Sequence, residues 1–386
     1  MTTPRPGTLL TLTCATVLVT LVGYLLVVGQ GLILPILIAL ISVYIMGALD
    51  NQLASWPVTR LMPALLRRLV LILAFVGIIA AFTSLIIVTV QQLIQQAPSY
   101  QANLQKLLVE VTNMLGMNKV PDWPTIYDAT IGKLNLETIV ATIGASVSSF
   151  GGALFLVIIY VTFLFGEKAR FGDKLEAAFT DPDRAQRTRG VISEINSRIG
   201  QYLGTKTLIN VILGVISYVV LLACGVDYAA FWALLIGLLN YIPYIGSIIA
   251  LILPVMLSIV QFASLQRTLV LYAGLQIAQI IVGNFLEPKM VGRRVNLSPF
   301  VVLVSLAFWT AIWGVVGAIL AVPLTSMLVI IFSQLEPTRP MAVLMSDDIK
   351  VLKAQERKAA LAASKRAAGQ PARKTVIDPT DPEPEE

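Results

Sequence analysis

The sequence contains no histidine, has only two cysteines and carries few charged residues for its length. The absence of histidine excludes histidine general bases, histidine metal ligands and histidine proton relays. Cys14 and Cys224 both lie in apolar runs, which favours buried core positions over a metal cluster or a disulfide framework. Charged residues make up 13% of the chain and apolar residues 56%, and the mean hydropathy is +0.81. This composition indicates an integral membrane protein instead of a soluble domain.

The motifs of common catalytic sites are also missing. The sequence has no Walker-type glycine loop, no Gly-x-Ser-x-Gly elbow, no His-Glu-x-x-His motif and no intramembrane pair of aspartates. We therefore predict that the protein is not an enzyme and that it uses no cofactor and no metal. If the chain transports a solute, an ion gradient or the gradient of the solute itself has to drive it.

Two apolar segments, residues 231–260 and 300–330, are too long for one ordinary membrane crossing and are interrupted near the middle. A spanning helix needs roughly 20 apolar residues, so each segment fits two half-length helices joined at a break. Backbone groups freed at a break are tolerated only where they are buried in protein or face a watery cavity. Paired broken segments of this kind indicate the binding site of a transporter.

The two segments predict re-entrant helical hairpins. Each begins with a phenylalanine and carries a proline at the same distance further on, Pro254 and Pro323, which is weak support for an inverted repeat. An alternative, in which each segment makes two full crossings joined by a tight turn, stays open. The breaks place Asn240, Tyr241, Pro243, Tyr244 and Gly246 in the first hairpin, and Trp313, Gly314 and Gly317 in the second.

Further apolar runs complete the predicted fold, which is an all-α, polytopic integral membrane protein with about eight membrane segments. The runs lie at residues 9–28, 32–49, 69–90, 147–165, 208–224 and 268–285. They divide the chain into an N-terminal three-span region (1–90), an external amphipathic helical loop (91–143), a fourth span with cytoplasmic charged helices (144–206), a transport core with both hairpins (207–336), and a cytoplasmic basic helix with an acidic tail (337–386). We expect the acidic end of the tail to be disordered.

Lysine and arginine counts set the predicted orientation. The 50–68 loop has three basic residues and the 166–206 loop has eight, so both loops are predicted to be cytoplasmic. The N-terminus is then cytoplasmic, and the 91–143 loop is outside. The first hairpin starts and ends outside, whereas the second starts and ends at the cytoplasmic face with the basic tail. The net charge of +6 is therefore an orientation signal and does not indicate a nucleic-acid partner.

The uninterrupted span 268–285 carries a polar stripe. At 100° per residue, Gln276, Gln279, Gly283 and Glu287 fall within about 80° of one another. Polar residues on one face of a spanning helix usually point into the bundle, where they pair or line a path. Interhelical hydrogen bonding is the alternative for the glutamines.

The candidate site combines the breaks with this stripe. Alternatives remain for its members, since Asn240 could cap a helix end and the two tyrosines could belong to an interfacial aromatic belt. Glu287 could form a gate or a structural ion pair with Lys289, Arg293 or Arg294. The predicted transport path comprises Asn240, Tyr241, Pro243, Tyr244, Gly246, Gln276, Gln279, Asn284, Glu287, Trp313, Gly314 and Gly317.

Five short motifs resemble one known family. They are residues 201–204 (Gln-Tyr-Leu-Gly), 240–246 (Asn-Tyr-Ile-Pro-Tyr-Ile-Gly), 287–292 (Glu-Pro-Lys-Met-Val-Gly), 313–317 (Trp-Gly-Val-Val-Gly) and 321–324 (Ala-Val-Pro-Leu). In this order they look like the autoinducer-2 exporter (PerM-like permease) family, with the close match over roughly residues 200–335. The resemblance implies a multi-pass permease of the bacterial inner membrane with about eight spans. It also implies a homo-oligomer, with a pentamer as the candidate assembly.

The leading hypothesis is a gradient-driven permease or exporter of a small polar organic solute, such as a quorum-sensing signal. Its partners are then the lipid bilayer and a small-molecule or ion substrate. The resemblance also leaves open a sodium/proton antiporter, because members have been assigned to both functions. The positions of Asp50, Asp227 and Glu287 at span ends count against antiport, which usually needs an acid deep in a span. A non-transporting membrane scaffold is the second alternative.

The predicted orientation can be tested with single cysteines at Ser99 and Gln186 in a variant that lacks Cys14 and Cys224. An impermeant thiol reagent applied to intact cells should label the cysteine at 99, because the 91–143 loop is outside, and should spare the cysteine at 186. Labelling at 186 without labelling at 99 would reverse the topology.

Overall fold

The architecture comes from a computed structural model, which describes residues 8–55, 61–114, 152, 154–167, 171–179, 182–291, 296–334 and 337–348. These residues form helices joined by short turns, without a strand among them, as predicted. The helices are α1 (Thr8–Val28), α2 (Gln30–Ser55), α3 (Ala64–Met114), α4 (Leu154–Glu167), α5 (Phe171–Ala178), α6 (Pro182–Ala223), α7 (Ala229–Leu239), α8 (Ile245–Phe262), α9 (Leu265–Ile280), a π-helical segment (Ile281–Leu286), α10 (Glu287–Val291), α11 (Pro299–Gln334) and α12 (Arg339–Met345).

Six of the described helices are long and apolar enough to cross a membrane, and three further apolar helices are shorter. The prediction of an all-α, polytopic membrane protein is therefore confirmed. Several predicted features lie outside the described residues: the start of the fourth span, the 91–143 loop beyond residue 114, Arg293 and Arg294, and the tail beyond residue 348.

Two helices extend well beyond a membrane crossing. Helix α3 has 51 residues and is therefore about 75 Å long, more than twice the hydrocarbon thickness of a bilayer. The helix of the third span thus continues to Met114, into the segment that the sequence predicts as an external loop. Helix α6 has 42 residues and joins the charged segment after Pro182 to the fifth span without interruption.

The first hairpin consists of α7 and α8, which are about 16 Å and 27 Å long. The chain reverses over residues 240–244, and Tyr244 has a positive φ of 60°. Gly246, in the first turn of α8, packs against the end of α7 so closely that a Cβ atom would lie 1.9 Å from the carbonyl oxygen of Leu239. Only glycine permits this approach, so the break and its position are confirmed.

The two ends of the first hairpin are tied together. Gln261, near the end of α8, accepts a hydrogen bond from the backbone N–H of Asp227 at 3.0 Å and donates one to the carbonyl of Gly225 at 2.9 Å. Helix α3 joins the same network, because Tyr100 donates to a carboxylate oxygen of Asp227 at 3.0 Å and Asn103 donates to the carbonyl of Gln261 at 2.9 Å. The hairpin thus leaves and returns at one end of the molecule.

The second hairpin is α11, which bends back within an apparently continuous helix. Trp313 (φ −128°, ψ 16°) and Gly314 (φ 59°, ψ −140°) depart from helical geometry and separate limbs of about 21 Å and 30 Å. A Cβ on Gly317 would lie 1.9 Å from the carbonyl oxygen of Trp309. Both hairpins therefore have a short first limb, a longer second limb and a glycine that closes the return.

The start of the second hairpin lies against the end of α12, the helix that follows the hairpin. The backbone N–H of Ser298 donates to the carbonyl of Met345 at 3.0 Å, and Asn296 exchanges two hydrogen bonds with the backbone of Asp348, at 2.9 and 2.8 Å. The 27-residue stretch Leu265–Val291 joins the two hairpins along the chain and is about 40 Å long as a helix. One hairpin precedes this stretch and the other follows it, and their entry from opposite sides stays a prediction.

Two of the three buried apolar clusters in the described chain surround the hairpins. One lies between α6, α7 and α9 and includes Leu213, Ile236 and Leu271. The other surrounds the second limb of α11 together with α2 and α6. Ile242, in the turn of the first hairpin, belongs to the second cluster, so the tip of one hairpin packs into the core that surrounds the other.

Alanine substitution of Gly246 or Gly317 should lower the thermal unfolding temperature of the protein in detergent. The added methyl group collides with a backbone carbonyl, and overpacking of this kind costs about 1–3 kcal/mol or more. Gly77→Ala in α3 is the matched control, because a Cβ there meets nothing within 4 Å. If all three variants unfold at the same temperature, Gly246 and Gly317 do not pack against backbone carbonyls in the protein.

Candidate functional site

Polar side chains gather where α6 passes the turn of the first hairpin and the start of α10. We call this group the polar cluster; it comprises Tyr202, Lys206, Thr207 and Asn210 from α6, Asn240 and Tyr241 from the turn, and Glu287 from α10. Within α6, Tyr202, Lys206 and Asn210 follow one another at intervals of four residues, and Thr207 lies three residues before Asn210. This spacing puts them on one face of the helix. Apolar side chains of Leu203 and Ile242 are buried beside them.

An ion pair joins α6 to α10 within the polar cluster. The Lys206 ammonium donates to a carboxylate oxygen of Glu287 at 2.5 Å. The lysine side chain is 6% exposed, whereas the glutamate side chain is 31% exposed. The two charges therefore differ in their surroundings. The buried Lys206 ammonium has Glu287 as its counter-charge, whereas the Glu287 carboxylate is also solvated by water.

Two hydrogen bonds join α6 to the turn of the first hairpin. The hydroxyl groups of Thr207 and Tyr241 lie 2.6 Å apart, and the Asn240 amide donates to the Asn210 amide oxygen at 2.8 Å. Asn240 is the C-cap residue of α7, as one of the alternatives has it, and its side chain also contacts the neighbouring helix α6. Its backbone N–H continues the helical pattern by donating to the carbonyl of Ile236.

Asn210 has a buried donor that no group in the described chain satisfies. The residue is 4% exposed, and its amide nitrogen has no hydrogen-bond partner. The Tyr241 hydroxyl lies near this amide but outside hydrogen-bond geometry. A buried N–H group without an acceptor is unfavourable, so this nitrogen is a natural contact for an oxygen atom of a ligand.

Small residues bring the turn close enough to α6 for these contacts. A Cβ on Gly237 of α7 would lie 2.9 Å from the carbonyl oxygen of Asn210, and a Cβ on Gly214 of α6 would lie 3.3 Å from the carbonyl of Ala233. Helices in membranes use small residues for close crossings of this kind. The α6–α7 crossing therefore positions Asn240 and Tyr241 against α6.

The polar stripe predicted on α9 does not continue as a single face. The π-helical segment Ile281–Leu286 has a wider turn, so the assumption of 100° per residue fails beyond Ile280. Gln276 and Gln279 are half-buried, and the Gln279 amide nitrogen is buried without a partner, whereas Gly283 and Asn284 are exposed.

The structure brings together only some of the residues predicted for the site. Asn240, Tyr241 and Glu287 meet in the polar cluster, whereas Tyr244 is exposed and Pro243 is half-buried in the same turn. In the second hairpin, Gly314 is exposed, and Gly317 is buried at the close return. Trp313 anchors this hairpin, because its indole N–H donates to the carbonyl of Leu26 in α1 at 3.0 Å.

The partner expected for Glu287 differs from the observed one. The sequence suggested Lys289, Arg293 or Arg294; the observed partner is Lys206, while Lys289 is exposed and the two arginines lie outside the described residues. The sequence prediction places Lys206 among the charges of the 166–206 loop and includes neither Thr207 nor Asn210. Their helical spacing at the start of an apolar span is the signal that could have identified them.

Comparisons with known proteins agree with these features. The sequence profile of the AI-2E family transporters matches residues 14–336. The AI-2 transport protein TqsA of Escherichia coli (strain K12) is 29% identical over 339 residues, which cover 86% of the chain and 95% of TqsA. A Haemophilus influenzae protein whose name provisionally assigns it to transport is 30% identical and covers 86% of the chain and 94% of that protein. A Borreliella burgdorferi protein with the same name is 34% identical, with 61% of the chain and 64% of that protein covered.

Glu287→Gln should destabilise the protein more than Lys206→Gln. The first change leaves a buried lysine without its counter-charge, which costs up to about 3–5 kcal/mol for a fully buried pair and less here, because Glu287 is partly exposed. The second change leaves a carboxylate that water can reach. Thermal unfolding of both variants and of the exposed control Lys289→Gln measures the difference; equal losses in all three would contradict the pairing.

Proposed function

Because the chain belongs to the AI-2E family of transporters, it is a multi-pass transporter of the bacterial inner membrane, and we propose that it carries a small polar organic solute past the polar cluster. The family resemblance of the motifs is thereby confirmed. We propose residues 207–336 as the transport core. This segment contains both hairpins and most of the polar cluster, and α6 continues into it from residues before 207.

The observation that carries this proposal is the unsatisfied amide nitrogen of Asn210 beside the turn of the first hairpin. It lies next to two hydroxyl groups and the Asn240 amide, so several donors and acceptors converge within an otherwise apolar region. A small solute with hydroxyl or carbonyl oxygens could accept from Asn210 and exchange hydrogen bonds with Thr207 and Tyr241. AI-2 is the first solute to test, because it is named for the relative TqsA.

The two hairpins supply the rest of the proposed mechanism. We propose that they enter the membrane from opposite faces, with the ends of the first hairpin outside and both chain termini in the cytoplasm. This proposal is supported by the hydrogen bonds that join the two ends of the first hairpin, by those that join the start of the second hairpin to the chain after α12, and by the lysine and arginine counts of the loops. The Lys206–Glu287 pair then acts as a gate or brace at the inner side of the first turn. A homo-oligomer, with a pentamer as the candidate, stays a prediction from the family resemblance.

Asn210→Leu should reduce AI-2 flux in liposomes about threefold to tenfold, which corresponds to the loss of one hydrogen bond to the solute. Asn113→Leu is the matched control, since Asn113 is exposed near the end of α3, away from the predicted transport path, and should retain wild-type flux. Thermal unfolding of both variants shows whether either has lost its fold. Equal flux in Asn210→Leu, Asn113→Leu and the wild type would remove the polar cluster from the transport path.

Glu287→Gln distinguishes solute transport from cation/proton antiport in the same liposomes. We expect any remaining flux to keep the pH dependence of the wild type, because Glu287 is engaged as the counter-ion of Lys206 and not as a proton carrier. If the variant folds normally and loses the pH dependence, Glu287 couples protons, and the antiport function replaces the one proposed.

A further inference from the structure

A second charged group lies where the end of α2, the start of α3 and the end of α4 meet, away from the polar cluster. Arg67 of α3 makes an ion pair with Asp50 of α2, and both side chains are largely buried. Arg68 follows Arg67, with its Nε atom 4.0 Å from the other carboxylate oxygen of Asp50. Its guanidinium also lies over the ring of Phe165, 5.7 Å from the ring centroid. We call these four residues the arginine corner.

The arginine corner has an excess positive charge. Two guanidinium groups face one carboxylate, and Asp50 already accepts its hydrogen bond from Arg67. Both arginines lie in the first two turns of a 51-residue helix, where backbone N–H dipoles favour a negative charge and disfavour a positive one. An anion bound here would compensate both effects.

Arg68 has the free donors that such an anion requires. Its Nε is buried without a hydrogen-bond partner, and within the described chain none of its guanidinium N–H groups donates a hydrogen bond. The side chain is 38% exposed, so a ligand can reach the guanidinium. The planar fork of an arginine matches two oxygens of one phosphate, and the ring of Phe165 fixes the plane of that fork.

The surroundings of Arg68 favour a lipid over a soluble anion. Leu65 and Leu69, one turn apart on the same helix, are 81% and 51% exposed, and Leu61 before the helix is 89% exposed. Apolar side chains next to a basic group form the boundary at which a headgroup meets its acyl chains. The lysine and arginine counts place this end of the molecule at the cytoplasmic leaflet, which carries anionic lipids.

We propose that the arginine corner binds the phosphodiester of an anionic phospholipid in the cytoplasmic leaflet. Arg68 provides the contact to the phosphate oxygens. Arg67 and Asp50 hold the adjacent charge in place, and the exposed leucines contact the acyl chains. The site is separate from the solute path, and the proposal does not depend on which solute the protein carries.

The test uses the purified full-length protein in detergent with short-chain phosphatidylglycerol, the matching phosphatidylcholine, or inorganic phosphate. Phosphatidylglycerol should raise the thermal unfolding temperature and remain bound in native mass spectrometry, because a ligand that binds only the folded state stabilises it. Arg68→Ala should require about fivefold more phosphatidylglycerol for the same shift, the effect of one basic residue at an anionic surface. Phosphatidylcholine and inorganic phosphate should have little effect.

Arg267→Ala is the matched control, because the Arg267 guanidinium also lies 5.7 Å from an aromatic ring, that of Phe262, but at the other end of the molecule and without a second arginine. It should respond to phosphatidylglycerol as the wild type does. If Arg68→Ala does not fold, Arg68→Lys keeps the charge without the fork and should bind the lipid more weakly than the wild type. Identical lipid responses in the wild type and the Arg68 variants would overturn the proposal, and so would an equal shift with inorganic phosphate.

Discussion

Two chain reversals inside apolar segments impose the constraint on which this architecture depends. At each reversal a glycine passes against a backbone carbonyl at a distance that excludes any Cβ, namely Gly246 against Leu239 and Gly317 against Trp309. The turn of the first hairpin also satisfies its own backbone: the N–H groups of Asn240, Tyr241, Ile242 and Gly246 all donate to carbonyls between Ile236 and Ile242. A reversal that leaves few free donors can lie at a depth where water is scarce.

The polar cluster follows from this constraint. A tight turn brings Asn240 and Tyr241 to the tip of the first hairpin, where α6 supplies hydroxyl and amide partners. Glu287 follows directly after the π-helical segment and pairs with Lys206. The polar cluster thus concentrates charge and hydrogen-bonding groups beside the two apolar clusters that surround the hairpins.

Local patterns in the sequence were sufficient for the outline of the fold. The length of the apolar segments predicted two breaks, and Asn240, Gly246 and Trp313 lie at them. Periodicity also predicted that α3 continues beyond its span. The contacts of the site could not be predicted in the same way. Lys206 pairs with a residue far along the chain, and the anchoring of Trp313 on Leu26 joins opposite ends of the sequence. The π-helical segment depends on tertiary packing, which a fixed angle per residue does not represent.

Helix α3 connects two distant parts of the protein through one uninterrupted rod. Near its start Arg67 is held by Asp50, and about 50 Å further along Tyr100 and Asn103 are bonded to the two ends of the first hairpin. Because of these hydrogen bonds, the first hairpin cannot move along the membrane normal independently of α3. Any such displacement has to carry α3 with it or break the hydrogen bonds to Asp227 and Gln261. A movement of the first hairpin during transport would therefore be transmitted by α3 to the Arg67–Asp50 pair near the start of that helix.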